Sequence, residues 1–406
     1  MSRKSVGLLV ASAWFAAGIN LAHAIPAVPP QTALSQTSVE KTVVAAKRKP
    51  AKKSVKRKGP APSLTIVSKA PNNAPDFDYQ ARIEEAQALA AKQPVLPSDM
   101  QIDASGNLSR FVWTLVVGQK TGPLTVVQMD ESGKNAQGFT ITWPIDNFIN
   151  TRFHVEKPEG YVVFAQRRPV RAAAGGYEMG VYTSYAPEMD TKTMRTAGMD
   201  YLRLLQHLAY NRIQEHDVRS LVAPNATVAD KIPTSMVLRL MIAEHIDPLH
   251  MKYVGIEQCI HEVLITIAAN RGRAYAYAKS SAGARGMPQF IEDSYQMVRD
   301  NYPKALLEPN FERGMTDLRN AVLASVLHLD LELTHLPQKT LKSIAGSSQH
   351  LTDFLAAGYN RNPAHVAKTY NRTRTFTGGN VPFENKMYVR IQSWVGQFLK
   401  KEYDIT

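Results

Sequence analysis

A carboxyl group on the apolar face of a helix is the first feature of this chain with the means to do acid–base chemistry. Between Pro233 and Pro248 the sequence reads as a helix that opens with proline, where a missing N–H costs nothing, and is stopped by the second proline. Val237, Leu240, Met241 and Glu244 recur at i, i+3, i+4 and i+7, so Glu244 shares the face that the apolar residues bury. A carboxyl held against apolar surface has its charged form disfavoured and keeps a proton nearer neutral pH. Such a group can protonate a glycosidic oxygen; a glutamate at a helix end paired with an arginine is the structural alternative.

Two further segments carry polar chemistry in tight backbone. Ser280 to Phe290 packs small residues around Gly283 and Gly286 just before the next helix. Backbone without side chains allows close approach of a ligand, and Gln289 offers both a donor and an acceptor to sugar groups. The third segment runs from Ala357 through Gly358, Tyr359, Asn360, Arg361, Asn362 and Pro363 to Val366.

The Ser280–Phe290 stretch resembles the S-x-x-G-A-x-G-L-M-Q motif of soluble lytic transglycosylases, and Ala357–Val366 is similar to that family's A-Y-N-A-G-P-G-R-V segment. The resemblance covers about Ile232 to Lys368. It implies a lysozyme-like domain that cuts the glycan strands of peptidoglycan. It also implies Glu244 as the acid, Ser280 and Gln289 lining the cleft, and Tyr359 and Asn360 beside them. In that family one carboxyl acts first as acid on the bond between N-acetylmuramic acid and N-acetylglucosamine. It then acts as base while a 1,6-anhydro ring closes, so no cofactor and no metal is expected.

The chain departs from the family pattern in two places. At the spacing where the family carries its glutamate stands Arg271, and Pro288 replaces the usual methionine. The acid is then Glu244, or Glu262 or Glu257 from an inserted helix, or the domain binds glycan without cutting it. A hydrolytic lysozyme would need a second acid, for which Asp247 is nearest in sequence.

The elements expected to position these groups give an α+β, multidomain chain. Helices are expected at Met199–Gln214, Pro233–His245, Gly255–Ala269, Ile291–Asn301, Leu318–His335 and Tyr388–Tyr403, within a mainly α lysozyme-like domain over 196–406. Before it, 76–195 reads as a short helix, Asp76–Lys92, and a small β-rich module. Its strands are expected at Phe111–Val117, Leu124–Met129, Phe139–Trp143 and Tyr161–Ala165, with a turn at Glu131–Asn135.

Residues 1–24 have the form of a secretory signal: Arg3 and Lys4, an apolar run from Val6 to Ala17, and Ala22-His23-Ala24 as the cleavage site. A periplasmic or secreted protein with no membrane span in its mature chain is therefore expected. The single cysteine, Cys259, excludes an intramolecular disulfide, falls on an apolar stripe and reads as a buried small hydrophobe. Of the net charge of +13, residues 1–60 contribute +10, from eleven Lys and Arg against Glu40 alone. Residues 25–75 read as a disordered basic tether without aromatic residues for base stacking. An anionic envelope surface or nucleic acid are its candidate partners, besides the glycan strands. The histidines have no metal-ligand spacing along the sequence; in particular His261-Glu262 lacks a second histidine at Ile265.

Overall fold

The computed structural model describes residues 77–405, apart from 131–136, 146–147, 173–174, 346–347, 362, 374 and 377–380. The signal, the tether and the turn at Glu131–Asn135 lie outside the described residues. The described residues group into one compact unit. It is α+β: a short helix and seven strands come first, then helices to the end. None of the described helices is long and apolar enough to cross a membrane.

Helix α1 (Tyr79–Lys92) starts where the Asp78 carboxylate accepts from the backbone of Ala81. Strands β1 (Met100–Ile102), β2 (Leu108–Gly118), β3 (Thr125–Asp130), β6 (Val162–Arg171) and β7 (Tyr177–Tyr182) form an antiparallel sheet centred on β2. Val116 pairs with Val126 of β3 on one side and with Ala165 of β6 on the other. Strands β4 (Thr140–Ile145) and β5 (Arg152–Lys157) form a separate ribbon. Alternation along β2 sorts its side chains: Trp113, Leu115 and Val117 pack with Phe153 and Val155 of β5, and Val116 turns to the other face. That other face meets Ile83, Ala86 and Ala90 of α1 and Ile265, Ala268 and Ala269 from the helical part.

The four expected strands all occur. Strands β1, β5 and β7 were not anticipated: β1 is only three residues long, and Arg, His, Glu and Gly interrupt the apolar pattern of β5 and β7.

The helical part is α2 (Lys192–Glu215), α3 (Thr234–Ala243), α4 (Pro248–Val254), α5 (Ile256–Asn270), α6 (Glu292–Asn301), α7 (Phe311–Thr316), α8 (Leu318–Leu333), α9 (Gln338–Ala345), α10 (Ser348–Asn360), α11 (Pro363–Thr373) and α12 (Phe383–Tyr403). Each expected helix is present within a few residues, except that α2 begins seven residues earlier, behind the cap from Thr191 to Met194 N–H. Pro248, taken as a stop, occupies the first turn of a new helix instead, as Pro363 does.

Helix α5 lies at the centre, with Cys259 and almost every later residue buried. From Val263 to Ala269 it is buried on all sides, because α2 covers one side and the sheet and α1 another. Gly198 of α2 makes the first contact possible, since a Cβ there would stand 2.0 Å from the carbonyl oxygen of Leu264. Burial of each Leu or Ile in this core contributes about 1.5–3 kcal/mol.

Candidate functional site

Glu244 is the C-cap of α3, with φ −61° and ψ −16°. Its own N–H and those of His245 and Ile246 donate to Leu240, Ile242 and Ala243, which closes the helix tightly. Asp247 then caps α4 by accepting from Leu249 N–H. Val237, Leu240 and Met241 are fully buried, as the periodicity requires, and they hold the Glu244 side chain at the edge of the core, half-buried.

Among the described residues, no cation reaches this carboxyl. Its hydrogen-bond partner is the hydroxyl of Tyr388, which donates to Oε1. One turn along α12, Gln392 Nε2 donates to the same hydroxyl oxygen at 3.1 Å. The tyrosine proton is thereby directed at Glu244, and burial raises the Tyr388 pKa so that it stays a donor. Burial pushes the Glu244 pKa up to about 8, against a smaller lowering by the tyrosine hydrogen bond. At neutral pH the carboxyl holds its proton and can give it away.

The two other motif segments meet directly beside it. His245 donates from Nε2 to the carbonyl of Met287 at 2.9 Å, and Tyr359 donates to the next carbonyl, that of Pro288, at 2.6 Å. Burial lowers the His245 pKa to about 3, so the ring is neutral and carries the proton it donates. It also stacks on Tyr275, with centroids 3.5 Å apart and planes 12° from parallel. Two consecutive carbonyls of the glycine segment are thus held by the neighbour of the acid and by the Tyr359 segment.

The glycine segment is a compact double turn. Ser280 Oγ accepts from Ala284 N–H at 3.0 Å, and Gln289 Nε2 donates to the Gly286 carbonyl at 2.7 Å. Gly286 has φ +70°, and a Cβ on it would stand 2.5 Å from the carbonyl oxygen of Met315, so only glycine fits. Arg271, Tyr275 and Gln289 also take positive φ, a concentration of backbone strain of about 1–3 kcal/mol per residue of the kind found at functional sites. Tyr182 of β7 supports the stretch, its phenol oxygen accepting from the Tyr275 N–H at 3.3 Å.

The other sequence candidates fall elsewhere. Glu257 is exposed beside Lys401 at 3.4 Å. Glu262 is only 6% exposed, rather than beside the buried stripe as expected, and is bound by Arg152 Nη2 at 2.6 Å and His250 Nε2 at 2.9 Å. Arg271 is exposed and reaches Glu84 at 3.4 Å. Tyr359 is buried and engages Pro288 rather than the acid; the supporting hydroxyl is that of Tyr388, which the sequence reading missed. Asn360 is buried at the end of α10. A polar pair, Tyr388 and Gln392, on the otherwise apolar stripe of α12 was the available signal.

A second buried carboxyl also escaped the sequence reading. Glu332 of α8 is 2% exposed, and a Cβ on Gly358 would stand 2.6 Å from its Oε2. Burial raises its pKa well above the carboxylate range. His328 Nε2 lies 3.3 Å away without hydrogen-bond alignment. Glu332 is therefore sealed in the core against the Gly358 backbone.

No protein-family profile matches the chain, and neither does a curated protein sequence or a solved structure.

Proposed function

We propose that the chain is a peptidoglycan lytic transglycosylase with Glu244 as its single acid and base. The reading is carried by one observation: a half-buried carboxyl with no cationic partner and a pKa near 8 adjoins the glycine segment and the Tyr359 segment, through His245 and Tyr359. Glu244 gives its proton to the oxygen linking N-acetylmuramic acid to N-acetylglucosamine, and the C1–O bond breaks. The carboxylate left behind takes the proton of the muramyl 6-hydroxyl as that oxygen bonds to C1, which restores the acid and leaves a 1,6-anhydro end. Tyr388 stabilises the carboxylate formed between the two steps. Asp247, the nearest extra acid for a hydrolytic lysozyme, is occupied in capping α4.

The test is mass spectrometry of products released from purified peptidoglycan. Anhydro-muropeptides from the wild type and none from Glu244→Gln are expected; reducing-end products alone would assign a hydrolase instead. A non-catalytic glycan-binding protein is the second reading, favoured by the exposed Arg271 at the family's glutamate position. It is the outcome if the protein binds glycan and releases nothing. By the expected signal sequence, the place of action is the periplasm or the cell exterior.

A further inference from the structure

Where α4 meets α5 at the edge of the core, three side chains of different ligand chemistry converge. His250 lies on α4, and Cys259 and Glu262 lie one turn apart on α5. Gly255, at φ +83°, reverses the chain between the two helices and brings them together. One nitrogen, one sulfur and one carboxylate oxygen from these residues all lie within 4.8 Å of one another. Imidazole Nε2 is 2.9 Å from Glu262 Oε2 and 3.1 Å from Oε1. No spacing along the sequence announces this set, because the turn and the helix period create it.

We propose that His250, Cys259 and Glu262 form a binding site for one divalent cation of the zinc class. A thiolate with an imidazole and a carboxylate is a borderline-soft set; it suits zinc or cobalt and disfavours calcium and magnesium, which take oxygen ligands. Three protein ligands leave a fourth tetrahedral position for water. Metal–ligand bonds of about 2.0–2.3 Å are reached by small side-chain rotations that draw the three atoms together.

Arg152 of β5 now supplies the positive charge. Its Nη2 stands 2.6 Å from Glu262 Oε2, and its Nη1 is 3.4 Å from His250 Nε2. Its guanidinium also lies over the ring of Tyr185, 5.0 Å from the centroid, a resting place that survives when the carboxylate is taken by a metal. Binding therefore exchanges the guanidinium for the metal at Glu262 and releases the Cys259 thiol proton to solvent. The metal fastens α4 to α5 just beyond the acid-bearing turn. This assignment is independent of glycan cleavage.

The untagged full-length chain, stripped with a chelator, is titrated with cobalt(II) and then with zinc(II). Cys259 is the only thiol in the chain, so a thiolate-to-cobalt charge-transfer band reports this site alone. One cobalt per chain, the band, and its loss on adding zinc are expected. Cys259→Ser should abolish the band, and His250→Ala, at a part-exposed position, should weaken binding about 10-fold or more. Arg152→Gln, which removes the competing cation, should tighten it. Absence of one-to-one binding at micromolar metal, or cobalt binding without the band, would overturn the proposal. So would unchanged affinity in His250→Ala, a variant whose folding does not depend on a buried side chain.

Discussion

Glu244 and Glu262 both end up against apolar core within 20 residues of one another in sequence, and their surroundings give them opposite characters. Glu262 meets a guanidinium and an imidazole and is bound on both oxygens. Glu244 meets a phenol, backed by an amide, and no cation. Burial alone does not make a general acid, since in a low-dielectric site the sign of the nearest partner decides whether the proton stays. The β-rich module supplies that difference: Arg152 comes from β5, so the packing of the module against α5 gives Glu262 a cationic partner. Under the proposed function, Glu244 is the carboxyl that does the acid–base work.

The sharpest way to break this contrast is to remove each carboxylate in turn. Glu244→Gln should lower the rate of muropeptide release by about 10²–10⁴-fold with the fold intact. Glu262→Gln should leave the products unchanged while costing about 1.5–3 kcal/mol in urea unfolding, because Arg152 and His250 lose their charged acceptor. Loss of activity in the second variant at full folding would reverse the assignment.

Stability against pH separates the two further. Glu244 has a folded pKa raised from its model-peptide value of 4.5 to about 8, so between these values the folded state holds the extra proton. Its contribution to stability is therefore complete below pH 4.5 and is lost as pH rises through 8. Glu244→Gln should remove that decline, a gain on the order of 3 kcal/mol at pH 8 after allowance for partial exposure. Denaturation curves at pH 5 and pH 8 measure it.

Two smaller effects probe the supports. Gly286→Ala should cost about 1–3 kcal/mol in thermal unfolding, from the clash with the Met315 carbonyl and the positive φ. Tyr388→Phe deletes the hydrogen bond that lowers the Glu244 pKa, so the alkaline limb of the activity profile should move upward. An alkaline limb that stays in place would show that Tyr388 does not act on the acid.

Much of this was legible in the sequence where one local rule dominated. The 3.6-residue period placed Val237, Leu240, Met241 and Glu244 on one face, and those apolar residues are buried as expected. It also made Cys259 a core residue, 3% exposed. What depended on distant parts of the chain was hidden. Tyr388 reaches Glu244 across 144 residues, and Arg152 reaches Glu262 across 110. Periodicity cannot report such pairings, so the partner that raises a carboxyl's usefulness and the partner that cancels it were both missed. Pro248 shows a local rule with two outcomes, since the residue that ends one helix suits equally the first turn of the next.

The most direct measurement is a carbon-13 NMR titration of the glutamate side-chain carboxyls in the full-length protein, assigned by comparison with Glu244→Gln. One carboxyl titrating near pH 8, absent from the variant, is expected for Glu244. If the carboxyl signal that Glu244→Gln removes has lost its proton by about pH 6, Glu244 has no proton to give at neutral pH and is not the acid of this protein.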